Sequence, residues 1–407
     1  MKILHTADWH LGKKLEGIAR LEEQKQVLEE ICEVADREAV DVVLVAGDLF
    51  DTFNPSSEAE ELLYKTLKRL AKNGERAVIA IAGNHDSPER IEAPDPLARE
   101  CGIIFTGFPN SLVSPFAIDG GLEVLKSVPG FIELILPNSP FPLRLLLTPY
   151  ANEYRLKKFL GFQDNEAALR QHLEQHWTQL AEQYCDAKGI NILMAHLFFA
   201  KENQALPPEP EEEKPILHVG GAQAVFSVNV PKGLDYVALG HLHRCQTVDE
   251  TPCKMMYSGS PLSYSFAEAN QKKVVLILEA EPGCELVVNK VTLTKGKALL
   301  KQRFEDINEA AKWLSEHPDA IVELRLVMEK YLSIKEKKRL LDINPNIFLI
   351  PELKGDLADN QDKGKQIDLG QSTEELFKQY FEYRHQLPPD EGLLDLFKEV
   401  LAEEPEA

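Results

Sequence analysis

The sequence predicts an α/β fold built in layers. Short apolar runs alternate with stretches of helical period over the first two-thirds of the chain. Five of those runs are nearly continuously apolar, as strands covered on both faces must be. Each of the five leads straight into residues able to bind a metal, which puts chemistry at the carboxyl ends of the strands.

The runs cover 2–7 (KILHTA), 41–46 (DVVLVA), 76–82 (RAVIAIA), 191–195 (NILMA) and 234–239 (LDYVAL). Between them the period lengthens to that of a helix. Residues 20–38 set Val27, Ile31 and Ala35 on one face. Residues 57–73 open with the capping-box spacing of Ser57 and Glu60 and close at Gly74. Residues 163–184 read as a third helix, and 274–279 and 286–293 as further strands.

From 297 the composition changes. Helix (305–316), strand (321–328), helix (333–341) and strand (347–350) mark a separate small α+β unit. Residues 355–371 are polar, glycine-containing and aperiodic, so they read as a linker. Two amphipathic helices, 373–385 and 391–403, follow on either side of Leu387-Pro388-Pro389. The expected division is therefore 1–296, 297–354, 355–371 and 372–407.

A chain of 407 residues holds two or three domains with ample core. Its 45 Lys and Arg against 66 Asp and Glu leave a net charge of −21, which argues against gripping DNA by bulk positive charge. Six cysteines without a CxxC pair point away from a disulfide scaffold or a cysteine zinc knuckle and fit a reducing cytosol. The first strand runs directly into Asp8 and His10, so no cleavable leader is expected there. No run of about 18 apolar residues occurs, so a cytoplasmic chain without a membrane span is expected.

The strand ends read Asp8-Trp9-His10, Gly47-Asp48-Leu49-Phe50-Asp51, Gly83-Asn84-His85-Asp86, His196 and Gly240-His241-Leu242-His243. In extended chain, residues i and i+2 point the same way, so Asp8 with His10 and His241 with His243 each aim two ligands at one place. Gly47, Gly83 and Gly240 precede their motifs and would let the chain turn and a cation or phosphate come close. Imidazoles, carboxylates and an amide oxygen without thiolate suit octahedral Mn²⁺ or Fe²⁺ better than a closed structural zinc site. Seven ligands exceed the needs of one ion, and two ions about 4 Å apart sharing one carboxylate is the natural count.

DxH, GDxxD, GNHD, a lone His and GHxH, in that order, resemble the calcineurin-like metallophosphoesterase superfamily. The fuller strings ILHTADWHLG, AGDLFDT, AGNHDSPER, ALGHLHRCQ and YSGSPLSYSF resemble the SbcD family of bacterial nuclease subunits. The resemblance implies a four-layer metallophosphoesterase sandwich, two mixed sheets flanked by helices, with a small α+β capping domain and a C-terminal helix-loop-helix. It implies two divalent ions, most suitably Mn²⁺. Asp8, His10 and His243 would hold one, Asn84, His196 and His241 the other, and Asp48 would bridge them. His85 would face the scissile phosphate and Asp51, which follows the family's bacterial pattern, would orient it.

The implied activity is DNA phosphodiester hydrolysis in repair, recombination and replication, with an SbcC-type ATPase as partner. It comprises ATP-dependent exonuclease action on double-strand ends and endonuclease action on hairpins and single strands. A homodimer within a heterotetramer is implied as well.

Plainer readings stand beside these. A histidine at one strand end is more often a hydrogen-bonded core residue, but five ordered motifs together exceed that explanation. His5 lies inside its strand and reads as structural. His172 and His176, at i and i+4 in a polar helix face, read as solvated, as does the acidic stretch 201–215. Lys335, Lys337, Lys338 and Arg339 form a basic cluster that is either a DNA contact or a plain solvated face. The apolar faces of Phe377, Tyr380 and Phe381 and of Leu393, Phe397, Val400 and Leu401 read either as a helix pair folded back on the chain's own core or, as the polar linker favours, as a partner-binding hook.

Two other function classes compete: a phosphoesterase of the same fold acting on phosphoproteins or small phosphodiesters, and a non-catalytic scaffold. Phosphoprotein phosphatases of the superfamily show GDxxDRG and GNHE, whereas this chain has GDLFDTF and GNHDSP, and no ligand position has been lost.

Overall fold

A computed structural model describes residues 1–156, 165–204, 224–328 and 332–353, with Phe377, Lys378, Phe381, Leu393 and Leu394 beyond them. The linker expected over 355–371, nearly all of the helix pair expected over 372–407 and most of the acidic stretch 201–215 lie outside the described residues.

Two mixed sheets lie face to face. The first has six strands in the order Val287–Thr292, Val274–Glu279, Lys2–Thr6, Val42–Ala46, Ala77–Ile81, Ile103–Thr106. Its last four strands run parallel, and the first two pair antiparallel at the edge. The second has seven: Gln246–Asp249, Lys254–Tyr257, Tyr236–Gly240, Ile190–His196, Leu143–Thr148, Phe131–Ile135, Glu123–Val128. Its middle strands, from Lys254–Tyr257 to Leu143–Thr148, are parallel.

Strand alternation builds the layers. Ile3, Val42, Leu44 and Ile79 point into the space between the sheets, where they meet Leu143, Leu145, Ile192 and Tyr236. The neighbours Leu4, Val43, Val45 and Val78 point outward onto Val27, Leu28 and Ile31 of the helix Leu21–Arg37 and onto Leu63 and Leu67 of the helix Ser57–Ala71. On the far side, Leu146, Leu193 and Val237 pack against Leu169, Leu173 and Trp177 of the helix Asn165–Tyr184. The result is helices, sheet, sheet, helix, the expected four layers.

Several elements differ from expectation. The strand Leu143–Thr148 is wholly buried and central, yet Arg144 interrupts its apolar run. That arginine is buried because it pairs with Glu133 at 2.6 Å and Asp186 at 2.7 Å. The strands Ile103–Thr106 and Lys254–Tyr257 span four residues each, too short to show a period. The second helix is capped by Ser56 rather than Ser57, the Ser56 hydroxyl accepting from Ala59 N at 3.3 Å.

Residues Leu299–Phe304, Ile321–Met328 and Ile347–Leu353 form a three-stranded parallel sheet with the helices Ile307–Ser315 and Ile334–Ile343. This unit has its own core of Ala310, Leu314, Val322, Leu324, Leu326 and Leu340. It touches the main sheets' side of the molecule through Leu15, Leu299 and Ile321, and the Phe266 and Phe348 rings meet edge-on at 5.4 Å. Among the described residues no helix is long and apolar enough to cross a membrane.

Candidate metal centre

The loops that leave the strands stay bonded to one another past the sheet edge. Asp8 N donates to Gly47 O at 3.0 Å, His10 N to Asp48 O at 2.9 Å and Leu11 N to Leu49 O at 3.0 Å. This lacing holds unusual backbone: φ is 55° at Asp8, 43° at His10, 49° at Asp48 and 110° at His241. Left-handed conformations at non-glycine residues cost about 1–3 kcal/mol each and persist only where surroundings impose them. Among the described residues, four of the ten such positions fall at residues expected to bind metal.

Two residues to which the sequence assigned no role hold the third loop. The fully buried Asp86 carboxylate accepts from Gly83 N at 2.8 Å, Phe50 N at 2.9 Å and Leu49 N at 3.0 Å, tying the GNHD loop to the GDLFD loop. Arg155 donates to Gly83 O at 2.7 Å and Asp86 O at 2.8 Å from behind. Asp86 was legible as the last letter of its motif. Nothing in the sequence marked Arg155.

The donor atoms converge from both sheets. His10 Nε2 lies 3.0 Å from His243 Nε2 and 3.5 Å from Asp48 Oδ2. His196 Nε2 lies 3.2 Å from Asp48 Oδ2 and 2.9 Å from Asn84 Oδ1, and His241 Nδ1 lies 3.1 Å from the same amide oxygen. Asp8 Oδ1 accepts from His241 N at 2.8 Å. Asp48 Oδ2 thus stands between the His10 and His196 rings, one on each side.

These spacings suit cations. Adjacent ligands on an octahedral ion with bonds of about 2.1 Å stand about 3 Å apart. His196 Nδ1 faces the carbonyl of Ala46 at 2.8 Å, and a carbonyl only accepts, so Nδ1 carries a proton and Nε2 has its lone pair turned toward the Asp48 carboxylate. Two acceptors at that distance need a positive charge between them. Without an ion a proton serves: burial opposes it, but Asp48 and Asp8 push the His196 imidazole up to about 9. Asp8 Oδ2 is buried with no hydrogen-bond partner among the described residues, as a ligand atom would be. Asp8, His10 and Asp48 also form a group whose ligand atoms all lie within 4.8 Å of one another.

At Gly47, with φ at 91°, glycine makes the turn the sequence suggested, and it also leaves room for a neighbour. A Cβ on Gly47 would overlap the His196 ring, and one on Gly83 would overlap the Asp48 carboxylate. The space is taken by the neighbouring side chains themselves.

Asp8, His10, Asp48, His196, His241 and His243 are buried, while Asn84, His85 and Asp51 are partly exposed and form the open side. His85 N donates to Asp48 Oδ1 at 2.9 Å, and its ring Nδ1 lies 2.8 Å from the carbonyl of Asp51. Asp51 Oδ1 takes Lys13 Nζ at 3.0 Å and lies 3.6 Å from His10 Nδ1. Burial would raise the Asp51 carboxyl, but His10 and Lys13 hold it below the usual range. On the far side of His243 sits the buried Glu268. Burial alone would raise it, yet Lys273 and His243 bring it down to about 2.

The profile of the calcineurin-like phosphoesterase family matches residues 1–245. The SbcD subunit of the SbcCD nuclease of Bacillus subtilis (strain 168) is 37% identical over 98% of this chain and 97% of its own length. The chain belongs to the calcineurin-like phosphoesterases, among the SbcD nuclease subunits. The protein of the same name from Rhodobacter capsulatus is 35% identical over 70% of this chain and 67% of its own. Among solved structures, a dimetal phosphatase from Danio rerio aligns over 73% of this chain and 99% of that one, at 12% identity and a TM-score of 0.40. As an SbcD-type chain it is a metal-dependent hydrolase of phosphodiester bonds, in a family that uses divalent ions.

Proposed function

We propose that this chain is the Mn²⁺-dependent nuclease subunit of an SbcC–SbcD-type complex. It would cut double-strand DNA ends as an ATP-dependent exonuclease, and hairpins and single strands as an endonuclease, in repair, recombination and replication in the cytoplasm. The observation that carries the reading is Asp48 Oδ2, set 3.5 Å and 3.2 Å from two imidazoles that belong to different sheets. A carboxylate so placed can be shared by two cations. Asp8, His10 and His243 would hold one, and Asn84, His196 and His241 the other. The donor set, with no thiolate, favours Mn²⁺ over structural zinc.

When bound, the ions supply Lewis-acid activation of water and of the phosphoryl group. The chain's own residues do the rest. His85 stands on the open side, its Nδ1–H donates to the Asp51 carbonyl, and Nε2 is the nitrogen that would meet substrate. An imidazolium keeps that bond and can donate from Nε2 to the departing ribose oxygen, a role worth about 10²–10⁴ in rate. Lys13 pairs with the Asp51 carboxylate beside it and holds that side chain in place.

The unit at 297–354 would cap the site, and the helix pair at 372–407 would dock on the ATPase, within a heterotetramer that contains a homodimer of this chain. The name of the Bacillus subtilis relative, a subunit of SbcCD, supports that partner. Incubation with Mn²⁺ and end-labelled duplex, hairpin and single-stranded DNA, with and without the partner and ATP, tests the reading. Cleavage that needs Mn²⁺ and extends to duplex ends with partner and ATP is expected. Hydrolysis of phosphopeptides or small phosphodiesters in preference to DNA would overturn it.

A further inference from the structure

The string at residues 257–266 (YSGSPLSYSF) leads into a carboxylate that no ligand role explains. Glu268 is only 5% exposed. Its Oε1 lies 3.1 Å from His243 Nδ1 and accepts from Tyr264 N at 3.1 Å, and its Oε2 accepts from Ser260 Oγ at 3.4 Å and from Lys273 Nζ. Lys273 Nζ in turn donates to His243 O and to Ser260 Oγ, both at 3.0 Å. The pair therefore grips His243 twice, by its ring and by its carbonyl.

The chemistry of the grip fixes a tautomer. A carboxylate paired with an ammonium only accepts hydrogen bonds, so His243 Nδ1 must carry the proton. The Nε2 lone pair is then the one that stands 3.0 Å from His10 Nε2. Were Glu268 neutral or absent, the ring could take the other tautomer or turn about χ2.

We propose that Glu268 and Lys273 are positioning residues for one of the two metal positions: they lock the ring and tautomer of His243 and so set the affinity for the cation it shares with Asp8 and His10. The inference rests on the reading of His243 as a ligand. Removal of such a supporting partner weakens metal binding by about 10–100-fold. The loss falls on a single position, because Glu268 has no contact with His196, His241 or Asn84 among its hydrogen bonds.

The test is calorimetric titration of the full chain with Mn²⁺, after removal of metal, for wild type, Glu268→Gln, Lys273→Met, Lys273→Arg and His243→Ala. Melting in EDTA establishes that each variant is folded, and Lys273→Met carries the test should the more deeply buried Glu268→Gln fail to fold. The expected result is two sites in wild type, with one weakened about 10–100-fold in Glu268→Gln and Lys273→Met and largely restored in Lys273→Arg. Loss of one site in His243→Ala but wild-type binding in Glu268→Gln and Lys273→Met overturns the proposal and leaves the metal reading standing. Two unchanged sites in His243→Ala overturn both.

Discussion

His85 is held through the backbone of Asp51: its Nδ1 lies 2.8 Å from the Asp51 carbonyl, while the Asp51 carboxylate takes Lys13 at 3.0 Å. Orientation of the histidine by this bond does not require an aspartate side chain. His85→Asn should keep metal and lose about 10²–10⁴ in cleavage rate, the usual worth of a general acid. Asp51→Asn keeps the carbonyl and should lose much less. Mn²⁺ titration and single-turnover cleavage of the two variants check this. Equal losses would show that the carboxylate, not the carbonyl, controls His85.

Asp86 ties two ligand-bearing loops with three buried amide bonds. Each buried amide left without an acceptor costs about 1–3 kcal/mol, so Asp86→Ala should lose at least about 3 kcal/mol of stability. Asp86→Asn should lose less, since an amide oxygen in place of Oδ2 still accepts from Leu49 N and Gly83 N. Urea unfolding in EDTA measures both. Mn²⁺ binding should weaken in the same order, because Asn84 rides on the freed loop. An Asp86→Ala protein as stable as wild type would remove the clamp from the account.

Those loops also show what sequence can and cannot tell. Each motif of candidate ligands is contiguous and sits at a strand end, so Asp8, Asp48 and His196 could be picked out without coordinates. That two sheets contribute came from the family resemblance alone. His196 and His241 come from a sheet other than that of Asp8 and Asp48, and no local pattern records which strands face each other. Leu143–Thr148 stayed hidden because the buried Arg144 finds its partners Glu133 and Asp186 only in the folded chain. Arg155 and Glu268 act through bonds that span 72 and 25 residues, to Gly83 and His243.

Charge distribution supports a division of labour in DNA binding. Residues 372–407 hold 10 acidic and 3 basic residues, so 3 − 10 gives −7, a third of the chain's −21, while 297–355 balance 11 bases with 10 acids, 11 − 10 giving +1. Two divalent ions beside Asp8 and Asp48 would reverse the sign locally. The chain alone should therefore bind DNA weakly, with the partner supplying most of the electrostatic grip. A deletion of 372–407 should lose co-purification with an SbcC-type ATPase and keep Mn²⁺-dependent cleavage of single strands. Undiminished co-purification would refute the docking role.

His5, three residues before the first ligand motif, predicts an acid-sensitive core. Its ring is fully buried, with Nε2 at 3.2 Å from Leu239 O and Nδ1 at 3.1 Å from Tyr236 Oη. The carbonyl only accepts, so Nε2–H donates to it and Nδ1 accepts from the phenol, an arrangement that suits a neutral ring. Burial pulls the imidazole down to about 3, against which the Leu239 carbonyl acts only weakly. Below the unfolded value of 6.5 the unfolded chain gains a proton that the folded chain refuses until about pH 3. Stability from this residue is therefore full above pH 6.5 and falls as the pH drops, by about 2 kcal/mol between pH 7 and pH 5. His5→Gln can still donate to the Leu239 carbonyl and cannot titrate. Urea unfolding of the two proteins across that range should show the wild type losing about 2 kcal/mol more than the variant, the other histidines cancelling in the difference. Parallel stability curves would mean that His5 takes up its proton in the folded chain as readily as in the unfolded one.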